Sequence, residues 1–300
     1  MKGYRKRGEL IYPFSDWSFK RIFGREESKE LLISFLNDLL EGERQIVDLT
    51  YLDKEQTPPV ADMRGVIYDI YCQTDTGERI VVEMQHSYQR DFIKRAFVYQ
   101  YYAIGNQLKR GEGNYEFSAV YVISFLNFEL HNGKLKRFRT DFKMTDTLDH
   151  GNTLDEIRQI YLMLPLFRKE LEECETNFDK WIYALKHMET ITRADFLAKF
   201  PQFQKLADIA DAQALNKEEY DKYFHSMLIL NDNCSAYRTA METGMEKGLK
   251  KGREEGRVEG EAVGLAKANI RNARAMKAKG LSLELIAEIT SLTIEETAQL

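Results

Sequence analysis

The chain has 300 residues, 43% of them hydrophobic, so it can bury a sizeable core and is expected to contain one main domain with appendages. Its formal net charge of −5 excludes nucleic-acid binding by the overall charge, and any such binding has to come from local basic patches. The three widely spaced cysteines favour a reduced compartment, the cytoplasm, over a disulfide framework. No apolar run reaches the roughly 18 residues of a membrane helix, so we expect no signal peptide and no membrane span.

The first predicted element is a short helix. Ser15 or Asp16 can cap it, because both side chains can accept a hydrogen bond from the free backbone N–H groups of the first turn. Gly24 is a suitable end, since glycine is favoured just beyond helix C-termini. The residues expected to face the core are Phe19, Ile22 and Phe23.

A longer amphipathic helix is predicted over residues 29–40, with Ser28 as its cap. Its apolar residues recur at helical spacing: Leu31, Leu32, Phe35, Leu36 and Leu39. A short strand over residues 48–52 follows. Pro58 and Pro59 are then expected to break the chain before the next element.

Residues 66–73 and 78–85 are rich in β-branched and aromatic side chains and are joined by a short turn, which predicts a β-hairpin. The expected register pairs Cys72 with Ile80. Because side chains alternate along a strand, one face is apolar and consists of Ile70, Cys72, Ile80, Val82 and Met84. The other face carries Asp69, Val81, Glu83 and Gln85.

Asp69 and Glu83 are expected to lie opposite each other on that second face, with their Cβ atoms roughly 5 Å apart. Two carboxylates placed in this way repel each other unless a cation or a proton lies between them. The face therefore fits a divalent-metal site, since Mg²⁺ takes carboxylate oxygens and can activate water against a phosphodiester. Gln85 can supply a carbonyl or an amide there, but neither a positive charge nor a base.

After the hairpin, the sequence predicts one long helix over residues 86–109, a buried central strand over 117–126, a turn at 131–133 and strands over 134–142 and 157–164. The buried side of the helix is expected to contain Phe92, Ala96, Tyr99 or Gln100, Ala103, Ile104 and Leu108. This order of elements predicts an α/β fold with helices on a mixed sheet.

Four regions are expected: a core over residues 10–165, a helical subdomain packing on it over 166–240, a glycine-rich charged helix over 241–266 and a basic helical tail over 267–300. The subdomain has one apolar face, formed by Phe178, Trp181, Ile182, Leu185 and Met188. In the third region glycine recurs every four residues from Gly244 to Gly264. Either these glycines allow another backbone to approach, which predicts self-association as a homo-oligomer, or the segment is a solvated linker.

The tail carries a one-sided basic stripe formed by Lys267, Arg271, Arg274 and Lys277. Ser282 is expected to start a helix after it, and residues 293–296 form a capping box that starts another. Two short helices with a tight turn are typical of a helix-turn-helix that contacts DNA. Glu295 and Glu296 would meet phosphates unfavourably, so packing or dimerisation is the alternative.

Several of these residues together resemble a known signature. Asp69, a hairpin, and then Glu83 and Gln85 resemble the PD-(D/E)XK phosphodiesterase motif, with glutamine replacing the usual lysine. The Asp-Trp-Ser-Phe-Lys sequence at 16–20, and the segment from Gln85 to Arg95, resemble one branch in particular. This branch comprises the bacterial recombination-promoting nucleases, also described as PD-(D/E)XK nuclease family transposases.

The resemblance implies a restriction-endonuclease-like α/β core flanked by helices, with an all-helical C-terminal extension. It also implies a metal-dependent DNA endonuclease linked to DNA recombination or mobile elements. By motif match, Asp69 and Glu83 are the ligands of Mg²⁺ or Mn²⁺, Gln85 stands in the catalytic-lysine position, and Asp16 matches an acidic position that can complete the site. Without the lysine, water must be activated mainly by the metal.

Alternatives remain for individual residues and for the function. Asp16 can be a helix cap, Lys20 and Arg21 can contact DNA or lie on a solvated helix face, and Arg95 can face the site or pack. The competing functions are a catalytically weak or inactive DNA-binding or assembly protein that retains the nuclease fold, and a structural partner without nucleic-acid contact.

Overall fold

The computed structural model describes residues 9–56, 65–108, 115–130 and 135–300, and these fall into two units, Met1–Cys234 and Ser235–Leu300. The predicted break at Pro58 and Pro59 and the predicted turn at residues 131–133 lie outside the described residues.

The strands of the described residues are β1 (Leu49–Tyr51), β2 (Glu55–Gln56), β3 (Val66–Ile67), β4 (Ile70–Thr74), β5 (Arg79–Gln85), β6 (Val120–Leu126), β7 (Arg139–Thr145) and β8 (Thr153–Met163). Six of them form one mixed sheet in the order β1-β4-β5-β6-β8-β7, while β2 and β3 pair separately. Strands β5, β6 and β8 run parallel, and the remaining neighbours in the sheet are antiparallel. The predicted central strand is confirmed, because every residue of β6 is buried.

The hairpin of β4 and β5 has the predicted register, with Cys72 opposite Ile80. Its two faces enter two separate cores, as the alternation of side chains requires. Ile70 and Val82 belong to one core. Tyr71 and Val81 belong to the other. Strand β5 lies between β4 and β6. Its pairing with β4 ends at Val82, whereas Glu83, Met84 and Gln85 stay paired with β6.

The helices of the first unit are α1 (Asp16–Phe23), α2 (Lys29–Leu39), α3 (Phe92–Gly105), α4 (Asn177–His187), α5 (Arg193–Lys199), α6 (Gln204–Ile209) and the beginning of α7 (Lys217–Ala278). Ser15 caps α1 by accepting a hydrogen bond from the Ser18 backbone N–H, and Gly24 ends it, as predicted. The five apolar residues predicted for α2 are all buried.

One prediction about a helix start is right and one is wrong. Helix α2 begins at Lys29 with Ser28 at its N-cap position, as predicted, but the Ser28 hydroxyl donates to the Arg25 carbonyl within a 3-10 turn and makes no capping hydrogen bond. Helix α3 begins at Phe92 and not at residue 86, because residues 86–91 form a loop. In that loop the ring of His86 lies within hydrogen-bonding distance of Tyr12 and Asn127.

Helices α1 and α2 pack with α4–α6 on one face of the sheet, and α3 packs on the other. The apolar face predicted around Trp181 lies in the first of these cores, where the Trp181 ring contacts Phe23 and Phe35. The segment after residue 166 is not uniformly helical: 3-10 turns separate α4, α5 and α6. Helix α1 is thereby fixed against the sheet beside the hairpin.

The second unit contains the remainder of α7, followed by α8 (Leu283–Thr290) and α9 (Ile294–Gln299). The predicted cap at Ser282 and the capping box of Thr293 and Glu296 are confirmed. All six glycines of the repeat lie within α7, and a Cβ atom added at any of them would meet no described atom within 4 Å apart from the neighbouring residues and nearby backbone of the helix itself. No helix in the described part of the chain combines the length and apolarity that crossing a membrane requires.

Candidate active site

The structure brings Asp69 and Glu83 together at the open end of the hairpin. Asp69 directly precedes β4, and its backbone N–H donates to Glu83 Oε1 over 3.1 Å. In return, the Met84 backbone N–H donates to Asp69 Oδ2 over 2.8 Å. The two carboxylates are thus held by each other's strands, because the hairpin register places them opposite each other.

Both carboxylates sit where ionisation is unfavourable. Glu83 is only 1% exposed, and burial followed by the charge of Asp69 raises its pKa well above the usual value for glutamate. Burial also raises the pKa of Asp69, with hydrogen bonding from Met84 opposing it. A cation shared by the pair would remove this conflict, since an opposite charge nearby favours the ionised form.

Two basic side chains approach the pair from helices on opposite faces of the sheet. Lys20 on α1 has its ammonium 3.7 Å from Asp69 Oδ1. Arg95 on α3 has its guanidinium 3.6 Å from Glu83 Oε2. Arg95 is further anchored, because it donates to the hydroxyl of Tyr99 and to the side-chain carbonyl of Gln89. The predicted proximity of Arg95 to the acidic residues is therefore present in the structure.

Gln85 lies at the end of β5, and its amide donates to Glu83 Oε2 over 3.3 Å. Gln85 and Glu83 are both buried. Because they are two residues apart on β5, their side chains share one face of the strand, as predicted. The amide orients the carboxylate and brings no charge to it. Among the described residues, the basic side chains that lie near the acidic pair, Lys20 and Arg95, come from helices and not from the hairpin.

Asp16 is not the cap of α1, since Ser15 has that role. Its exposed carboxylate instead accepts a hydrogen bond from Lys20 over 2.5 Å. Asp16 and Asp69 both line a cavity of about 450 Å³, whose wall also includes Met84 and His86. The structure thus connects Asp16 to the acidic pair through the ammonium of Lys20.

The other predicted DNA contacts lie elsewhere. The guanidinium of Arg21 donates to the carbonyl of Ile209 and forms an ion pair with Glu219, so it helps to hold α1 against its neighbours. The stripe residues Lys267, Arg271 and Arg274 are exposed on α7 within the second unit. Lys277, the last residue of the stripe, donates to the carbonyls of Thr297 and Ala298 at the end of α9.

A family model for the PD-(D/E)XK nuclease family transposases matches residues 13–240. The chain belongs to this family. The match includes every residue of the acidic site described above, and the mixed sheet flanked by helices agrees with the expected PD-(D/E)XK fold. No curated protein and no solved structure matches the chain.

PD-(D/E)XK nucleases generally use divalent metal ions, and the donor set here fits such an ion. Asp69 and Glu83 offer hard carboxylate oxygens, which Mg²⁺ and Mn²⁺ prefer. No group of three or more His, Cys, Asp and Glu side chains able to hold a metal occurs in the described residues. An ion held by Asp69 and Glu83 would therefore complete its coordination with water and other oxygen ligands, as Mg²⁺ commonly does.

Sequence reasoning missed Ser124, which pairs with Glu83 across the parallel strands β5 and β6. Its side chain lies on the same face as Val122, and its hydroxyl is buried with no hydrogen-bond partner among the described residues. Buried hydroxyls are normally paired, so an orphan beside an acidic site is a candidate contact for a bound water. The available signal was its polarity within an otherwise apolar strand.

Proposed function

We propose that this chain is a DNA endonuclease that hydrolyses phosphodiester bonds and depends on Mg²⁺ or Mn²⁺. The carrying observation is the facing pair of Asp69 and Glu83, both with raised pKa values, at the end of the hairpin of β4 and β5. Groups that are costly to ionise in this way are typical of functional sites. Membership of a nuclease family supports the same reaction.

Each side chain of the pair has a defined role in this proposal. Asp69 and Glu83 hold the ion. Each carboxylate accepts a hydrogen bond from a backbone N–H, of Met84 and Asp69 respectively, and these bonds fix the directions of the free oxygens. The amide of Gln85 keeps Glu83 in place. When bound, the ion would polarise the phosphate and lower the pKa of a coordinated water.

The proposed substrate is DNA, held by basic side chains near the pair and in the second unit. Arg95 lies partly exposed beside Glu83, where it can contact a phosphate oxygen next to the scissile bond. The exposed stripe of Lys267, Arg271 and Arg274 presents three positive charges on one side of α7. Such contacts are independent of base sequence and weaken with salt.

The test is nicking of a supercoiled plasmid in Mg²⁺ by the wild-type protein and by Asp69→Asn and Glu83→Gln. Since loss of an outer partner of a metal ligand costs about 10–100-fold, loss of a ligand is expected to cost about 100-fold or more. Glu55→Gln, which changes an exposed acid on β2, is the matched control and should retain wild-type cutting. Equal residual cutting by all four proteins would refute the proposal.

Gln85 favours a second function, a catalytically weak or inactive DNA-binding or assembly protein with the nuclease fold. A neutral amide occupies the position that resembles the catalytic lysine, and it is committed to Glu83. DNA binding that falls with salt, together with no nicking by the wild type, would support this function. Absence of DNA binding at low salt would contradict the nuclease and the DNA-binding role, and would leave the assembly role. Neither proposal includes strand joining, and the link to recombination or mobile elements rests on the family resemblance.

A further inference from the structure

Lys20 is held at the acidic site by two carboxylates. Its ammonium donates a hydrogen bond to Asp16 Oδ1, and Asp69 Oδ1 lies 3.7 Å from the same ammonium. Both acids line the same cavity of about 450 Å³, and the ammonium lies close to each of them. The side chain is 29% exposed, which leaves it accessible to an anion that enters beside Asp69.

The position of Lys20 answers a question that the hairpin leaves open. Residue 85 is two positions after Glu83 and is neutral, so β5 supplies no cation to the reacting phosphate. Arg95 reaches the pair from the opposite face, but its guanidinium is anchored by Tyr99 and Gln89. Of these two cations, Lys20 is the one beside Asp69, the carboxylate that faces the cavity.

We propose that Lys20 is a catalytic residue whose ammonium contacts a non-bridging oxygen of the scissile phosphate. This inference rests on the proposed nuclease function. In the reaction, the water oxygen forms a bond to phosphorus as one P–O ester bond breaks. A water proton passes to solvent, and the leaving alkoxide takes a proton from solvent. Lys20 stays an ammonium throughout and stabilises the negative charge that grows on the phosphoryl oxygens.

Helix α1 can hold a cation for this purpose because it is rigidly placed. Phe19 and Phe23 on its buried side contact Phe125 of β6, which fixes the helix against the sheet. Asp16 lies one turn before Lys20 and limits the positions available to the ammonium. Asp69 would hold the ion, and the Lys20 ammonium, 3.7 Å from Asp69 Oδ1, would be near enough to contact a phosphate oxygen bound beside it.

The first measurement is single-turnover cleavage in saturating Mg²⁺ by Lys20→Gln. Loss of one preorganised charge donor is expected to lower the rate constant about 100-fold. Lys222→Gln is the matched control, because Lys222 lines the same cavity while its ammonium binds Glu218, and it should cut within about threefold of wild type. Affinity of Lys20→Gln for DNA in EDTA, measured by fluorescence anisotropy, should change by less than about threefold.

The second measurement is rescue by Gln85→Lys in the Lys20→Gln background. A lysine at residue 85 would supply an ammonium from β5 to the same carboxylates, so cleavage should recover by about 10-fold or more. If the role of Lys20 on α1 were purely structural, a lysine on β5 would not restore cleavage. Urea unfolding of each variant establishes that the fold is intact.

The outcomes separate this inference from the proposed function. Wild-type cleavage that Asp69→Asn abolishes, together with full cleavage by Lys20→Gln, would overturn the role of Lys20 alone. A loss in Lys20→Gln that is matched by an equal loss of DNA affinity would also overturn it, since Lys20 would then only anchor the substrate. Absence of wild-type cleavage would overturn both.

Discussion

Replacing Glu83 with glutamine is expected to stabilise the metal-free protein while removing its activity. Burial and the charge of Asp69 raise the pKa of Glu83, so the folded protein binds this proton more tightly than the unfolded chain does. The stability from the protonated form is present below the unfolded pKa of about 4.3 and is lost as pH rises through the raised folded pKa. The wild-type protein therefore loses this stability progressively as pH rises above about 4.3.

The magnitude follows from what glutamine keeps and what it removes. Its carbonyl can still accept from the Asp69 N–H, and its volume is unchanged, so no cavity forms. The lost ion pair with Arg95, which is 36% exposed, costs at most about 1 kcal/mol. Relief of the repulsion from Asp69 outweighs this, so the net gain in unfolding free energy is about 1–2 kcal/mol, as for other stabilising changes at functional sites.

The assay is urea unfolding at pH 7.5 in EDTA, with the transition midpoint converted to free energy at constant slope. Glu78→Gln is the matched control from the same hairpin. Burial raises the pKa of Glu78, but hydrogen bonds from Thr74 and Thr76 and the charge of Arg44 outweigh burial, so the net effect is a lowered pKa. Its stabilisation is present above a pH of about 4.3 and is lost only as pH falls through the lowered pKa. Glu78→Gln should therefore lose about 1.5–3 kcal/mol.

Saturating Mg²⁺ should reverse the order of wild type and Glu83→Gln. An ion that binds only the folded state adds about 2.7 kcal/mol at a concentration 100 times its Kd, and the variant should gain much less. A Glu83→Gln variant that is less stable than wild type in EDTA would refute the reasoning. That result would mean that Arg95 and Gln85 already balance the carboxylate without a metal.

Three further predictions concern residues around and beyond the acidic pair. Arg95→Ala should lower cleavage about 10-fold in the nicking assay by removing a charge beside the phosphate. Tyr99→Phe, which deletes only the hydroxyl that anchors Arg95, should lower cleavage less in the same assay. Equal losses in the two variants would argue against a phosphate contact. Combined alanine substitution of Lys267, Arg271 and Arg274 should reduce the slope of log affinity against log salt by about 0.9 for each phosphate that the protein no longer neutralises. An unchanged slope in anisotropy titrations would exclude these three residues as phosphate contacts. Gly248→Ala and Gly252→Ala should each add about 1 kcal/mol of helix stability, because nothing lies within 4 Å of the new methyl group; circular dichroism measures this gain, and a wild-type monomer in light scattering at high concentration would favour a solvated linker.

The local elements of the first unit were largely predictable because their patterns are short-range. The period-two alternation from residue 66 to 85 determines which side chains share a face, and the turn determines the register that brings Glu83 opposite Asp69. The apolar spacing of α2 likewise determines its buried side, and all five residues named for it are buried.

The missing side-chain cap at Ser28 and the wrong start predicted for α3 both come from competing hydrogen bonds. A serine before a helix can accept from a backbone N–H or donate to a carbonyl, and Ser28 does the second because a 3-10 turn precedes α2. The sequence predicts that the helix begins at residue 86, yet the ring of His86 lies within hydrogen-bonding distance of Tyr12 and Asn127, which are distant in sequence. Helix propensity is a weak preference that such tertiary contacts override.

The sequence by itself determined that two acids would face each other on one hairpin, since strand geometry alone requires it. Only the tertiary structure decided which cations reach them. Lys20 precedes Asp69 by 49 residues, and Arg95 follows Glu83 by 12 residues on a helix that packs against the other face of the sheet. The same holds for Arg21, which the fold turns away to Glu219, 198 residues later. Contacts of this kind depend on how helices pack on a sheet, and periodicity along the chain does not encode that packing.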